Sequence, residues 1–238
     1  MEYASPLLEG RLVSRYKRFF ADVELPGGEV VVTHCPNPGS MRTCAPDRAR
    51  VWISKSESPR RKLAYTWELV EAFGGMVVVN TALANRVVAE ALDRGVIEEL
   101  AGYDSIRPEV RYGEASRVDF LLSTGDSRCY LEVKSVTLFA GESASAFPDS
   151  VTARGSRHLE ELIRVVQAGD RAVLLFCVGR DPTDVVRPAD DIDPVYGQTL
   201  RRAARAGVEV LAYRCKVTPH GVHLAGRVPV DLSEQTTR

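Results

Sequence analysis

The first part of the chain alternates hydrophobic and polar positions with the two-residue period of β-strands. The alternation runs through residues 12–25 and again through 29–33, and both stretches are rich in aromatic or β-branched side chains. Pro26, Gly27 and Gly28 lie between them and are typical of a tight turn, so we expect these two strands to pair. Three further strands are predicted at 49–54, 62–70 and 76–80. Five short strands fit a small barrel of the oligonucleotide-binding (OB) type, although any small β-barrel or β-sandwich would also fit.

After residue 80 the apolar positions recur at the spacing of an α-helix. The first helix is predicted at 82–92, with Asn80 or Thr81 as its N-cap. Later elements alternate, with helices at 97–101, 158–167 and 196–206, strands at 171–178 and 208–213, and a loop at 181–193. Because strands alternate with helices, this part is predicted to be an α/β sandwich. We therefore expect two domains, an OB-type β-barrel over residues 1–80 and an α/β domain over 81–238.

A β-hairpin is predicted in the second domain, with strands around 116–120 and 129–134. Gly125, Asp126 and Ser127 supply the turn between them. Since alternate side chains of a strand point to the same face, Glu132 and Lys134 are expected to share one surface of the hairpin. Asp119 on the neighbouring strand would lie close to this pair.

The residues of this hairpin suit metal-dependent cleavage of a phosphodiester. Carboxylate oxygens from Asp119 and Glu132 are the ligands that a hard cation such as Mg²⁺ or Mn²⁺ prefers. The cation would polarise the phosphate and activate a water molecule, while Lys134 would place a positive charge beside them. Asp119, Glu132 and Lys134 are therefore predicted as catalytic residues. The alternative is two solvated strand acids with Lys134 as their salt-bridge partner, because so short a motif also occurs by accident.

The composition is that of an ordinary soluble protein: 238 residues, 45% hydrophobic and 26% charged, with a net charge of −1. Any nucleic-acid surface must therefore come from local clusters of basic residues. The chain has no apolar run long enough for a membrane span and no apparent leader, so we expect a cytoplasmic protein with no membrane partner. Its five cysteines include no CxxC pair, which argues against zinc, although Cys35 and Cys44 are close enough in sequence to form a disulfide.

Three polar segments are candidates for contact with nucleic acid. The first predicted strand mixes basic residues with Tyr16, Phe19 and Phe20, which could bind phosphates and stack on bases, unless the rings fill the barrel core. The loop 34–41 is dense in turn formers, and 147–158 leads into a predicted helix whose start could contact phosphate. Asn37 could instead serve only the turn, and His158 could pack within the fold. The candidate contacts are Arg15, Lys17, Arg18, Asn37, Arg154 and His158.

Taken in order, these segments resemble the sugar fermentation stimulation protein A family. The matching segments are 15–19, 34–41, 66–68, 79–81, 116–120, 129–138, 147–155, 158–159 and 207–213. The resemblance implies an OB barrel joined to a domain like the PD-(D/E)xK nucleases, which share the restriction-endonuclease fold. It also implies a DNA-binding role linked to the regulation of sugar metabolism, notably of maltose.

The resemblance also assigns residues. By position, Asp119, Glu132 and Lys134 fall on the nuclease motif. Glu90 in the preceding helix matches a place where such folds offer another acid and is predicted as a further metal ligand, with ordinary surface charge as the alternative. Val118 stands where the nuclease motif has proline, which is not itself a ligand. Pro38 and Ser156 replace a threonine and a glutamine that are common in the family, which leaves the contacts of those two loops open.

Three functions stay open from the sequence. The first is a metal-dependent nuclease that binds nucleic acid, most simply DNA, through the barrel. The second is a non-catalytic DNA-binding modulator of transcription that uses the nuclease fold as a scaffold. The third and weakest is a small-molecule enzyme or adaptor, and no feature of the sequence specifies its ligand. Whether the chain acts as a monomer or a homodimer is also left open.

Overall fold

The first domain is a closed five-stranded barrel. The structure is a computed structural model that describes residues 1–112 and 116–234. The strands of the first domain are β1 (Leu8–Tyr16), β2 (Phe20–Glu24), β3 (Val30–His34), β4 (Arg50–Lys55), β5 (Tyr65–Ala72) and β6 (Gly75–Val78). The first five pair in the order β1-β2-β3-β5-β4, and β4 pairs again with β1. The β3 and β5 pair is parallel and the others are antiparallel, and this closed ring confirms the predicted OB-type barrel.

The second domain is an α/β domain built on a six-stranded sheet. Its first half contains α1 (Leu83–Asp93), a 3₁₀ turn (Glu98–Leu100), β7 (Ser105–Tyr112), β8 (Ser116–Thr124), β9 (Ser127–Val136), β10 (Leu138–Phe139) and β11 (Ala144–Phe147). Its second half contains α2 (Ala153–Gln167), β12 (Arg171–Val178), β13 (Arg180–Asp181), β14 (Val185–Pro188), α3 (Pro194–Arg205), β15 (Glu209–Thr218) and β16 (Gly221–Arg227). The sheet order is β16-β15-β12-β9-β8-β7, and β9, β12 and β15 run parallel. β10, β11 and β14 form a separate small sheet.

The sheet separates two layers of apolar side chains. Leu131 and Val133 on β9 belong to the core that includes the apolar residues of α1. Tyr130 and Val136 on the same strand belong instead to the core formed with α2 and α3. Glu132 and Lys134 alternate with the α1-facing residues, and they therefore project toward α2. A third core fills the barrel around the fully buried Trp67.

Several predicted elements differ from the structure. The single strand predicted at 12–25 is two strands, and Lys17 and Arg18 form the turn between them with left-handed φ values of 47° and 64°. The helix predicted at 158–167 begins earlier, at Ala153, and the loop predicted at 181–193 contains β14. The N-cap of α1 is Ala82, although the side-chain oxygen of Asn80 accepts the Ala82 N–H at 3.2 Å.

The two domains are tied together at several points. β13, from the second half of the chain, pairs with β6 next to the barrel, and Gly179 O accepts the Val78 N–H at 2.7 Å. At the start of the chain, assigned to the barrel from the sequence, Met1 packs in the core of the α/β domain and Glu2 bridges to Gly221.

All five cysteines are buried and free, so Cys35 and Cys44 do not pair. Within the described ranges, none of the helices has the length and apolar character needed to cross a bilayer.

Candidate functional site

Asp119 lies where β8 and β9 stop pairing. The ladder between these strands runs from Thr124 and Ser127 to Phe120 and Leu131, which confirms the predicted hairpin. One residue further along, Asp119 Oδ2 accepts the backbone N–H of Val133 at 2.7 Å. Its other oxygen, Oδ1, accepts from the side-chain amide of Asn85 on α1 at 2.7 Å. The carboxylate is therefore held by groups from β9 and α1, next to Glu132.

Glu132 connects the other charged groups of the site. Lys134 Nζ donates to Glu132 Oε1 at 2.6 Å, so the two side chains share a face as predicted. His158 Nδ1, from α2, contacts the same oxygen. On the other side of the ring, His158 Nε2 accepts from Arg154 Nε at 3.3 Å. Because Nε2 accepts, the hydrogen of a neutral ring lies on Nδ1, from which it is donated to Glu132.

The two carboxyl groups have pKa values shifted in opposite directions. Burial alone would raise the pKa of Glu132, which is only 2% exposed. The hydrogen bond from His158 and the charge of Lys134 outweigh burial and lower its pKa below the ordinary value. Burial and the nearby charge of Glu132 raise the pKa of Asp119, although Val133 and Asn85 partly offset them. The site thus contains a firmly ionised Glu132 beside an Asp119 that binds protons more readily.

Three buried oxygens in this region have no hydrogen-bond partner among the described residues. They are Glu132 Oε2, Glu161 Oε2 and the Tyr112 hydroxyl. Burial raises the pKa of Tyr112, and the charges of Glu132 and Glu161 and a side-chain contact with Glu161 raise it further. Glu161 was missed in the sequence, although it follows His158 by three residues on α2 and therefore lies on the same side of the helix. Buried polar atoms without partners are unusual, and a bound ion or water is a common explanation.

Asp119 and Glu132 fit a metal ion that keeps much of its hydration shell. Among residues 1–112 and 116–234, no three His, Cys, Asp or Glu side chains are close enough together to hold an ion. Mg²⁺, however, is usually bound through one or two carboxylates and retains several water molecules. The unpaired Glu132 Oε2 offers such a cation an oxygen ligand, and Asp119 offers a second carboxylate beside it.

Glu90, the other predicted metal ligand, lies elsewhere. Its carboxylate contacts the Met1 ammonium at 2.8 Å, Arg94 at 3.2 Å and His223 at 3.3 Å. The structure therefore does not bring Glu90 to Asp119 and Glu132. The α1 residue that reaches Asp119 is Asn85, one and a half turns earlier, which the sequence did not single out.

A cleft of 370 Å³ lies beside this site and is lined by both the barrel and the α/β domain. The barrel lines it with Arg18 and with Asn37, Pro38 and Gly39. The α/β domain lines it with residues around 146–152 and with Ser135, which directly follows Lys134 on β9. Two predicted nucleic-acid contacts, Arg18 and Asn37, therefore meet in one cleft that reaches the neighbourhood of Lys134.

The remaining predicted contacts have different surroundings. Arg15 donates to the backbone oxygens of Asn37 at 3.1 Å, Gly39 at 3.1 Å and Ser40 at 3.4 Å, so its guanidinium holds the 34–41 loop in place. Lys17 is exposed in the turn after β1. The alternative that the rings fill the barrel core does not apply to Tyr16 and Phe19, which are 37% and 42% exposed. Arg154 and His158 belong to the network around Glu132.

Comparison with protein families gives a match to each domain. The family model described as the SfsA N-terminal OB domain matches residues 13–79. The one described as the sugar fermentation stimulation protein RE domain matches residues 82–221, more than half of the chain. The chain belongs to the sugar fermentation stimulation protein family.

Members of this family from several bacteria are similar to the chain over nearly its whole length. The sugar fermentation stimulation protein homolog of Thioalkalivibrio sulfidiphilus is 54% identical over 234 residues, which cover 98% of this chain and 99% of that protein. The homolog of Pseudomonas aeruginosa is 55% identical over 235 residues, which cover 98% and 100%. The two-domain arrangement therefore spans complete family members.

A solved structure of the family has the same architecture. The structure of Pyrococcus furiosus SfsA in complex with Ca²⁺ superimposes with a TM-score of 0.87 at 25% sequence identity. The match covers 97% of this chain and 98% of that one. Both the OB barrel and the α/β domain are thus shared with a sugar fermentation stimulation protein of known structure.

Proposed function

We propose that this member of the sugar fermentation stimulation family is a cytoplasmic, DNA-binding protein with a divalent-metal-dependent nuclease-type site. The observation that carries the proposal is the buried Glu132 Oε2, which has no partner among the described residues while Asp119 and Lys134 lie beside it. A carboxylate oxygen withdrawn from water without a partner is unfavourable. A bound Mg²⁺ or Mn²⁺ would satisfy it.

The Ca²⁺ complex of the Pyrococcus furiosus relative supports the choice of ligand class. Ca²⁺, Mg²⁺ and Mn²⁺ all favour oxygen ligands, and carboxylates are their common protein donors. A cation held by Asp119 and Glu132 would supply positive charge to a scissile phosphate and lower the pKa of a bound water. We propose Mg²⁺ or Mn²⁺ as the ion used.

The chain's own residues would bind and orient the phosphate. Lys134 carries a compact positive charge beside Glu132, where it would face the phosphate oxygens. His158 donates to Glu132 and is itself held by Arg154, so these two residues would keep the carboxylate in one orientation. Arg18 would contact the strand that leads into the site. Asn37 is only 2% exposed and its Oδ1 accepts the Gly39 N–H at 2.9 Å, so it would instead hold the loop that lines the cleft.

The test is cleavage of a panel of nucleic acids with Mg²⁺ or Mn²⁺. We expect the wild-type protein to cut, and Asp119→Ala to lose activity by about a hundredfold or more because one of two carboxylates is gone. Asp126→Ala is the matched control, since Asp126 is an exposed acid in the turn of the same hairpin. Equal activity in Asp119→Ala and the wild type would refute the proposed site.

A non-catalytic DNA-binding protein is the second candidate. It is favoured by the contact between Lys134 and Glu132, in which the lysine already has a partner without substrate. A non-catalytic protein of this kind would bind DNA with an affinity that falls steeply as the salt concentration rises. It would cleave none of the substrates with Mg²⁺ or Mn²⁺. In either form, we propose that the protein takes part in the regulation of sugar metabolism, including that of maltose.

A further inference from the structure

A row of three rings crosses the outer face of the barrel. Tyr16 on β1 is the register partner of Phe20 on β2, and Phe20 is the partner of His34 on β3. The rings of Tyr16 and Phe20 stack, with centroids 5.7 Å apart and planes inclined by 14°. The Tyr16 hydroxyl donates to Asp22 at 3.0 Å, which fixes the ring. Neighbouring side chains on one face of a sheet lie within contact distance, so the three rings form a continuous aromatic row.

Two cations lie at the end of the aromatic row. Lys17 and Arg18 form the turn between Tyr16 and Phe20, and both are exposed. Neither has an ion-pair partner within residues 1–112 and 116–234. Both have the left-handed backbone that favours glycine, so the fold keeps two charged side chains in an unfavourable conformation. Such outliers persist where the surrounding structure enforces them, and they often serve a function.

The aromatic row borders the cleft between the domains. From Tyr16 the chain passes through Lys17 to Arg18, which lines the cleft. From His34 the chain passes to Asn37, which also lines the cleft. The Cys35 N–H donates to Phe19 O at 2.8 Å and joins these two segments. At its other side the cleft reaches Ser135, the residue after Lys134.

We infer that the protein binds single-stranded nucleic acid, with bases on the aromatic row and the backbone passing Arg18 into the cleft. The inference rests on the proposed function, because it names the substrate class of the same site. Aromatic side chains stack on the faces of bases, which are free in a single strand, whereas a duplex offers only base edges in its grooves. The cleft volume of 370 Å³ falls at the lower end of the range typical of small-ligand sites.

The test is a metal-free binding titration that uses a chelator, so that cleavage cannot affect it. Fluorescence anisotropy would compare a labelled oligonucleotide of about 16 nucleotides, the upper end of the site size of one OB barrel, with its duplex. We expect the single strand to bind the wild type at least about tenfold more tightly than the duplex. Tyr16→Ala should weaken single-strand binding by about tenfold through the loss of one stacking contact. DNA and RNA versions of the oligonucleotide would identify the preferred sugar.

Two variants separate stacking from general effects on the fold. Tyr16→Phe keeps the ring and loses only the bond to Asp22, so it should bind like the wild type. Phe73→Ala removes a different exposed ring, one that stacks on Phe139, and it should also leave binding unchanged. Arg18→Ala should lower the slope of log affinity against log salt by about one, as expected for one lost phosphate contact.

The outcomes distinguish this inference from the proposed nuclease function. Equal or tighter binding of the duplex, or unchanged single-strand binding by Tyr16→Ala, would overturn the inference even if the protein cuts duplex DNA with metal. Preferential single-strand binding without cleavage would support the inference and remove the nuclease claim. A wild-type protein that binds no nucleic acid would end both.

Discussion

Arg15 is a residue type that commonly contacts phosphate, but its side chain has the surroundings of a structural residue. It lies on a basic, aromatic strand, yet its guanidinium donates to three backbone oxygens of the 34–41 loop. The loop presents Asn37, Pro38 and Gly39 to the cleft. The fixed fork of an arginine suits several acceptors at once, and a lysine could not replace it. Arg15 therefore supports the cleft indirectly.

Replacement of Arg15 by alanine should destabilise the protein and leave phosphate binding to other residues. Three carbonyl oxygens would lose their donor, and the expected loss in the free energy of unfolding is about 1 to 3 kcal/mol. Urea unfolding of Arg15→Ala would measure it. Arg11→Ala on the same strand is the control, because Arg11 is exposed and its side chain donates one hydrogen bond within residues 1–112 and 116–234, to Arg48 O at 3.3 Å. A stability equal to that of the wild type would contradict the structural role.

The sequence predicted the local part of the site and missed the distant part. The spacing of Glu132 and Lys134 fixes their common face through the period of a strand, and a short turn places Asp119 on the adjacent strand. Asn85 and Glu161 come from helices whose packing on the sheet is set by the whole fold. No local pattern distinguishes such helical residues from surface residues, which is also why Glu90 was singled out on α1 and Asn85 was not.

At the scale of elements, the turn between β1 and β2 was not recognisable. Turns with left-handed residues normally contain glycine, asparagine or aspartate, whereas this one contains Lys17 and Arg18. The hydrophobic pattern therefore predicted a single strand that continued through this turn. The tertiary pairing of Tyr16 with Phe20, not the intrinsic preference of the turn residues, determines the conformation.

The start of α2 and the shortest strands show two other limits of the sequence. Thr152 caps α2, and its Oγ1 accepts the Gly155 N–H at 3.0 Å. This signal was present, but Gly155 and Ser156 after it lowered the helical character of the first turn. The strands β10 and β13 have two residues each, which is too short to display a period. Long periodic elements such as α1, β12 and α3 were predicted within a few residues.

At the scale of the whole molecule, Arg180 joins the two domains. It is 1% exposed and donates to Thr137 O in the α/β domain at 3.1 Å. It also donates to Ala72 O at 2.9 Å and to Thr43 O at 3.0 Å, both in the barrel part of the chain. Burial lowers the pKa of Arg180, yet its guanidinium remains the donor for all three oxygens. The cleft exists only while the domains keep this arrangement.

Arg180→Met should weaken the joint between the domains. Methionine fills part of the space but leaves three buried carbonyl oxygens without a donor, so we expect a loss of about 3 kcal/mol or more. Thermal unfolding followed by calorimetry should then separate into two transitions, one for each domain. Arg60→Met, at an exposed position in the loop before β5, is the control. A single transition at the wild-type temperature would contradict the role of Arg180.

The central claim is that Asp119 and Glu132 hold a divalent cation. Calorimetric titration of Mn²⁺ into the wild type, Asp119→Ala and Glu90→Gln tests it most directly, because it needs no assumption about substrate. We expect the wild type and Glu90→Gln to bind Mn²⁺ with equal affinity, since Glu90 lies apart in its ion-pair cluster. Folded Asp119→Ala should show no binding. Binding by Asp119→Ala at the wild-type affinity, or no binding by the wild type, would contradict it.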